Sequence, residues 1–178
     1  MTGRLALVAL AAASLCVQSG EVIACGDKFL VASRGTRFQR AGLARQPAAI
    51  LLYANPASRL AATLDALSLP GALIKVGYAP TTVVGADALA RAMRERTWDL
   101  VLVDLADSDA VRAQRTGRRP PALMAVAYDV PGDVMKQARR EHDAVIRKPG
   151  RTAAVVDAID EVLFDRTLRA TSDARKGN

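Results

Sequence analysis

Few side chains in this sequence combine a reactive type with a telling position. Asp104 closes the apolar run Leu100 to Asp104 (LVLVD), and Lys148 follows the shorter run Ala144 to Arg147 (AVIR). A carboxylate and an ammonium at the C-terminal ends of two strands suit a structural ion pair, since polar groups at such places commonly satisfy one another. Cys25 offers a thiol, which in an oxidising compartment is modified, paired between chains or free. Arg34, Arg37 and Arg40 lie in a basic segment with Phe29 and Phe38 interleaved and Asp27 as its only acid. Arginine with aromatics suits an anionic partner, whereas the plainer reading is a solvated loop with its Phe residues packed on the body. His142 stands between Glu141 and Asp143 with no second histidine to complete a metal set. There is no G-x-G-x-x-G, P-loop or G-x-S-x-G pattern, and the turn Ala54-Asn55-Pro56 has no glycine to cradle a phosphate. The expectation is therefore no cofactor, no metal and no catalytic residue.

The elements that carry these residues lie within a chain of 178 residues, 51% apolar and 24% charged, which is globular composition. Aromatics make up 4%, so the core must be aliphatic. The first 24 residues read as a signal peptide rather than as part of the fold. Arg4 supplies a positive start, Leu5 to Val17 an apolar run short of the roughly 20 residues that span a bilayer, and Gln18 to Glu21 a polar break. Val22-Ile23-Ala24 then places small or aliphatic residues before Cys25. This site fits an ordinary signal peptidase, and Val-Ile-Ala-Cys also resembles the lipobox of bacterial lipoproteins, in which the cysteine becomes a lipidated N-terminus. Basic residues outnumber acidic ones 25 to 18, and losing the leader leaves the formal charge at +7.

Residues 25–47 form the basic extension, and residues 48–165 read as five βα units. Ala48 to Tyr53 (AAILLY) is an apolar run of the kind covered on both faces. Pro56 opens a helix whose Leu60, Leu64 and Leu67 share one face, and Pro70-Gly71 ends it. Ala72 to Tyr78 is read as the second strand. Asp87 to Arg96 follows as a helix with Ala86, Leu89 and Met93 inward. Leu100 to Asp104 is the third strand, Asp107 to Gly117 a polar segment with a helical turn or two, and Ala122 to Ala127 the fourth strand. Pro131 to Glu141 is a helix with a stripe of Val134 and Ala138, Ala144 to Arg147 the fifth strand, and Val155, Ile159 and Val162 mark the last helix. Residues 166–178 are read as a flexible basic tail. Arg112, Arg115, Arg118 and Arg119 are read as a solvated loop. Such alternation predicts an α/β fold: a flavodoxin-like parallel sheet of five strands, order 2-1-3-4-5, with helices on both faces.

Residues 48–165 resemble the receiver domain of bacterial response regulators. Thr97 to Leu105 (TWDLVLVDL) resembles the third strand that ends in the phosphoacceptor, at Asp104. Asp143 to Pro149 (DAVIRKP) resembles the fifth strand with its phosphate-contacting lysine, at Lys148. The resemblance also implies an acidic pair after the first strand, which holds magnesium, and a hydroxyl after the fourth. Tyr53, Ala54 and Asn55 stand at the first place, and Val126 and Ala127 at the second. The phosphoacceptor and lysine remain while the groups that support them are absent.

The expectation is an exported, non-catalytic pseudo-receiver, a binding or assembly module of the bacterial cell envelope, in the periplasm or anchored through Cys25. Its partner is expected to be a protein, met by resemblance on the face around residues 131–165, and not nucleic acid. One alternative is a cytoplasmic receiver of a phosphorelay, phosphorylated on Asp104. The other is a binder of anionic polymers through Arg34–Arg45.

Overall fold

The computed structural model describes residues 47–176 with the exception of Arg118. The leader, Cys25 and the arginines Arg34, Arg37 and Arg40 lie outside these residues. In chain order the elements are β1 (Ala49–Ala54), α1 (Arg59–Ala66), α2 (Leu69–Lys75), β2 (Ala79–Val84), α3 (Ala86–Glu95) and β3 (Leu100–Asp104). A 3₁₀ turn (Leu105–Asp107) leads into α4 (Ser108–Gln114), β4 (Ala122–Ala127), α5 (Gly132–Glu141), β5 (Ala144–Arg147) and α6 (Thr152–Lys176).

The five strands form one parallel sheet of order β2-β1-β3-β4-β5, as the alternation predicts. β1, β3 and β4 are buried at every position, which is why they read as unbroken apolar runs. Alternate residues serve opposite faces. Ile50, Leu52, Leu100, Leu102 and Met124 pack with Leu60, Leu64, Leu69, Leu73 and Ile159 from α1, α2 and α6. Leu51, Tyr53, Val101, Val103 and Leu123 pack on the other face with Leu89, Trp98 and Val111.

One device fixes the starts of the strands twice. The Asp99 amide donates to Ala49 O at 2.9 Å, and its carboxylate accepts from Ala49 N at 2.8 Å. The Asp143 amide donates to Leu123 O at 3.0 Å, and its carboxylate accepts from Leu123 N at 2.8 Å. An aspartate just before β3 and another just before β5 thus each close a ring onto the neighbouring strand. Each supplies a partner to a buried N–H that would otherwise cost about 1–3 kcal/mol.

The second strand is displaced from its expected place. Residues 69–75 are helical, with Leu69 and Leu73 buried one turn apart and Pro70 in the first turn, where proline costs nothing. The helix ends because Gly77 adopts φ +93°. Gly77 N then donates to Ile74 O at 3.0 Å and Tyr78 N to Leu73 O at 3.0 Å, the paired reversal that satisfies the last carbonyls. The strand follows at Ala79–Val84, an edge strand that tolerates Pro80. Elsewhere the buried faces of two helices differ from the expected ones. Ala92 rather than Ala86 joins Leu89 inside on α3, and Met135 rather than Val134 joins Ala138 on α5. The last helix also passes residue 165 and runs to Lys176, so the expected flexible tail is helical as far as it is described. Arg166 secures it by donating to Pro120 O, and Thr167 caps an internal carbonyl, Leu163 O, at 2.9 Å.

Candidate functional site

The C-terminal ends of all five strands meet at one edge, and Asp104 and Lys148 both stand there. They do not pair. Asp104 is 7% exposed, and its carboxylate accepts from Ala106 N at 3.1 Å, capping the 3₁₀ turn that its own strand leads into. Lys148 instead meets Asp129, with Nζ 3.7 Å from Oδ1. The strand order explains the difference. β4 lies between β3 and β5, so their ends stand about 10 Å apart at two strand spacings. Asp129 follows β4, the strand adjacent to β5, and is therefore the nearer carboxylate. The expected Asp104–Lys148 ion pair is replaced by Asp129–Lys148 for that reason. Asp129 and Lys148 both adopt positive φ, 48° and 38°, a conformation aspartate takes more readily than lysine.

Asp129 also receives Arg59 from the start of α1 at 2.6 Å, and Arg59 lies over the Tyr128 ring, 4.9 Å from its centroid. Together Arg59 and Lys148 hold the Asp129 carboxyl below its usual range, the Arg59 hydrogen bond being the larger cause. Tyr128 occupies the first hydroxyl-bearing position after β4. Its Oη donates to Thr63 Oγ1 at 2.6 Å, away from Asp104. Val126 and Ala127, where a receiver carries its small hydroxyl, are fully buried core residues.

The end of β1 is closed in the same way. Asn55 Nδ2 donates to Asp107 Oδ1 at 2.7 Å, while its Oδ1 accepts from Ala57 N at 3.1 Å, an Asx turn into α1. The second oxygen of Asp107 is buried without a hydrogen-bond partner. Tyr53 is 4% exposed, and its phenol is raised by burial and then by the charge of Asp107. Magnesium, which receivers hold here, needs an octahedron of oxygen ligands. This edge offers the Asp104 and Asp107 carboxylates and, from Asn55, an amide that presents its N–H rather than a third charge. No group of three His, Cys, Asp or Glu comes together among the described residues, and with Asn55 Oδ1 accepting from Ala57 N the edge is one carboxylate short of an acidic pair beside the phosphoacceptor.

His142 is 8% exposed, with Nδ1 2.8 Å from Ala138 O at the close of α5. Arg112 pairs with Glu141 at 3.1 Å and Asp109 at 3.3 Å, and Arg115 with Asp143 at 3.5 Å, so these two arginines are held rather than solvated, while Arg119 is exposed. Arg59, Asp107, Tyr128 and Asp129 carry the edge, and reading along the sequence missed them. The signal for Asp129 was the strand order itself, which makes the residues after β4 and β5 neighbours.

The Tyr128 phenol is raised above the ordinary 10.0, first by burial and also by the charge of Asp104, against the lowering effects of Thr63 and Arg59. A phenol raised on folding contributes stability in full below its unfolded pKa. That contribution is lost as pH climbs through the folded value. Tyrosinate absorbance should therefore rise late in alkaline titration. Asp104→Asn should bring the Tyr128 step to lower pH. An unmoved titration would place Asp104 out of range of Tyr128.

A parallel five-stranded sheet of this order, with a buried aspartate closing its third strand and a lysine after its fifth, defines a flavodoxin-like α/β domain. Among such domains it has the receiver fold. It is similar to the signal receiver domain of a LuxO repressor protein from Vibrio parahaemolyticus (TM-score 0.58, 12% identity, 71% of this chain and 97% of that one). It is similar also to NtrX from Brucella abortus in complex with ADP (TM-score 0.56, 22% identity, 74% of this chain and 30% of that one). A RitR mutant aligns at TM-score 0.52 and 19% identity, over 68% of this chain and 55% of that one. The match thus spans less than two thirds of NtrX and of RitR. No protein-family model and no curated protein matches the chain.

Proposed function

We propose that this chain is an exported, non-catalytic pseudo-receiver that serves as a binding or assembly module in the bacterial cell envelope. The observation that carries this reading is the closed state of the strand-end edge. Asp104 caps its own 3₁₀ turn, Lys148 meets Asp129, and Asn55 presents an amide to Asp107 where receivers keep an acidic pair. An edge so engaged supports a scaffold role over phosphotransfer, which needs a metal and a free acceptor. The partner on this reading is a protein that docks on α5, β5 and the first part of α6, around residues 131–165. The leader-like Arg4 and Leu5–Val17 series supports export, and Val22 to Cys25 supports either cleavage alone or cleavage with lipidation.

The competing reading is a cytoplasmic phosphorelay receiver using Asp104, favoured by the place of that residue at the end of β3. Cell fractionation with intact-mass measurement separates the two. The expected species begins at Cys25 in the envelope fraction, and its mass reports any lipid. An intact Met1 in the cytosol would overturn the exported reading. Binding of anionic polymers through Arg34, Arg37 and Arg40 would instead show a steep dependence on salt.

A further inference from the structure

At the opposite end of the sheet from Asp104, the chain before β4, the start of β5 and the α6 helix border an open cavity of about 480 Å³. That lies in the range of small-molecule sites. Arg115, Arg119, Arg166 and Arg169 line it, together with an apolar wall that includes Val145, Ile146, Ala158 and Val162. Asp143, Glu161, Asp165 and Asp173 line it as well. Asp165 and Asp173 stand one turn either side of Arg169 on α6, while Arg115, Arg119 and Arg166 gather toward the start of β4, beside Asp143. The Asp143 Oδ2 that faces Arg115 at 3.5 Å already accepts from Leu123 N at 2.8 Å. Arg115 is 19% exposed along its side chain, and its Nε is buried without a hydrogen-bond partner. Arg166 is half-buried and donates to Pro120 O. Burial, and then the nearby Arg119, hold its guanidinium below the usual range, with Arg115 adding to the effect. Three guanidinium groups therefore stand close enough for Arg119 and Arg115 to depress Arg166, against the opposing charges of Asp143 and Asp99.

We propose that this cavity binds a small organic phosphate, its phosphoryl group among Arg115, Arg119 and Arg166 and its apolar part along Val145, Ile146, Ala158 and Val162. Guanidinium forks match phosphate oxygens two at a time, and a dianion with three free oxygens can meet three of them. A monoanionic carboxylate has too few oxygens and too little charge to do so.

Calorimetric titration of the full chain with phenyl phosphate, inorganic phosphate and benzoate tests this. Phenyl phosphate should bind one to one, at least about tenfold more tightly than either of the others, as expected for charge-assisted bonds added to an apolar contact. Arg119→Gln, a change at an exposed side chain, should weaken it by about tenfold or more without altering the melting temperature. Arg94→Gln, on the exposed side of α3, should leave it unchanged. Absence of binding would overturn the proposal. So would equal affinity for the three anions, or an equal loss in Arg94→Gln.

Discussion

Incubated with acetyl phosphate and magnesium, the purified protein should keep its mass. A phosphoryl group approaching Asp104 brings negative charge onto an existing carboxylate, and a divalent metal normally offsets that by several kcal/mol. Here Asp104 and Asp107 lie within one 3₁₀ turn, and the third position is the Asn55 amide. Lys148 lends Asp104 no direct help, because it meets Asp129. A stoichiometric gain of one phosphoryl group that disappears in Asp104→Asn would overturn the pseudo-receiver reading. The converse change is also informative. Asn55→Asp would set a carboxylate against Asp107 Oδ1, which Asn55 Nδ2 now meets at 2.7 Å. Two like charges at that distance destabilise the fold unless a cation enters. Magnesium should therefore raise the melting temperature of Asn55→Asp and leave the parent protein unmoved. A parent protein stabilised equally by magnesium would show that the edge holds the ion after all.

Leu102→Ala should cost about 3–5 kcal/mol, a large part of the 5–15 kcal/mol typical of a domain. Leu102 is fully buried at the middle of the central β3, in register with Leu52 on one side and Met124 on the other. Its side chain belongs to the cluster that α1, α2 and α6 cover, so Ala would open a void inside that cluster. Val84→Ala, on the edge strand and 60% exposed, should cost less than about 1 kcal/mol. Urea unfolding of both variants decides the matter: the midpoint should fall steeply for Leu102→Ala at nearly constant slope. Costs within about 1 kcal/mol of each other would mean that β3 is not the centre of the core.

The buried strands were legible because solvent is excluded from both their faces, so nothing but apolar residues fits them. LVLVD and ALMAVA could scarcely be read otherwise. β2 was not legible for the opposite reason. At an edge, Thr82 and Val84 face solvent, and Pro80 disguises the run, while the more apolar ALIK upstream belongs to a helix. Helix faces were off by one position on α5, because a stripe of two residues, Val134 and Ala138, does not separate its face from the adjacent one carrying Met135. Asp104 and Lys148 were found at the right edge, but their partners depend on the bend of the turns after β4 and β5, where Asp129 and Lys148 take positive φ. Spacing along one dimension does not carry that information. The same holds for Arg115, a charge in a basic run until the fold brings Asp143 to it.

The place of β1 in the sheet also sets an order on the making of the molecule. Among the described residues it is the first strand to leave the ribosome, yet it lies inside the sheet, between a strand thirty positions later and another fifty positions later. At the usual pace of synthesis, roughly 5–20 residues per second, the second neighbour arrives several seconds after the first residues of β1. Throughout that interval AILLYA, six uncharged residues with no polar side chain beyond the Tyr53 hydroxyl, has at least one bare ladder edge. A chain interrupted anywhere before Leu100 is therefore not a smaller version of the domain. It is an apolar strand open to the next copy of itself, and only the arrival of β3 closes that route.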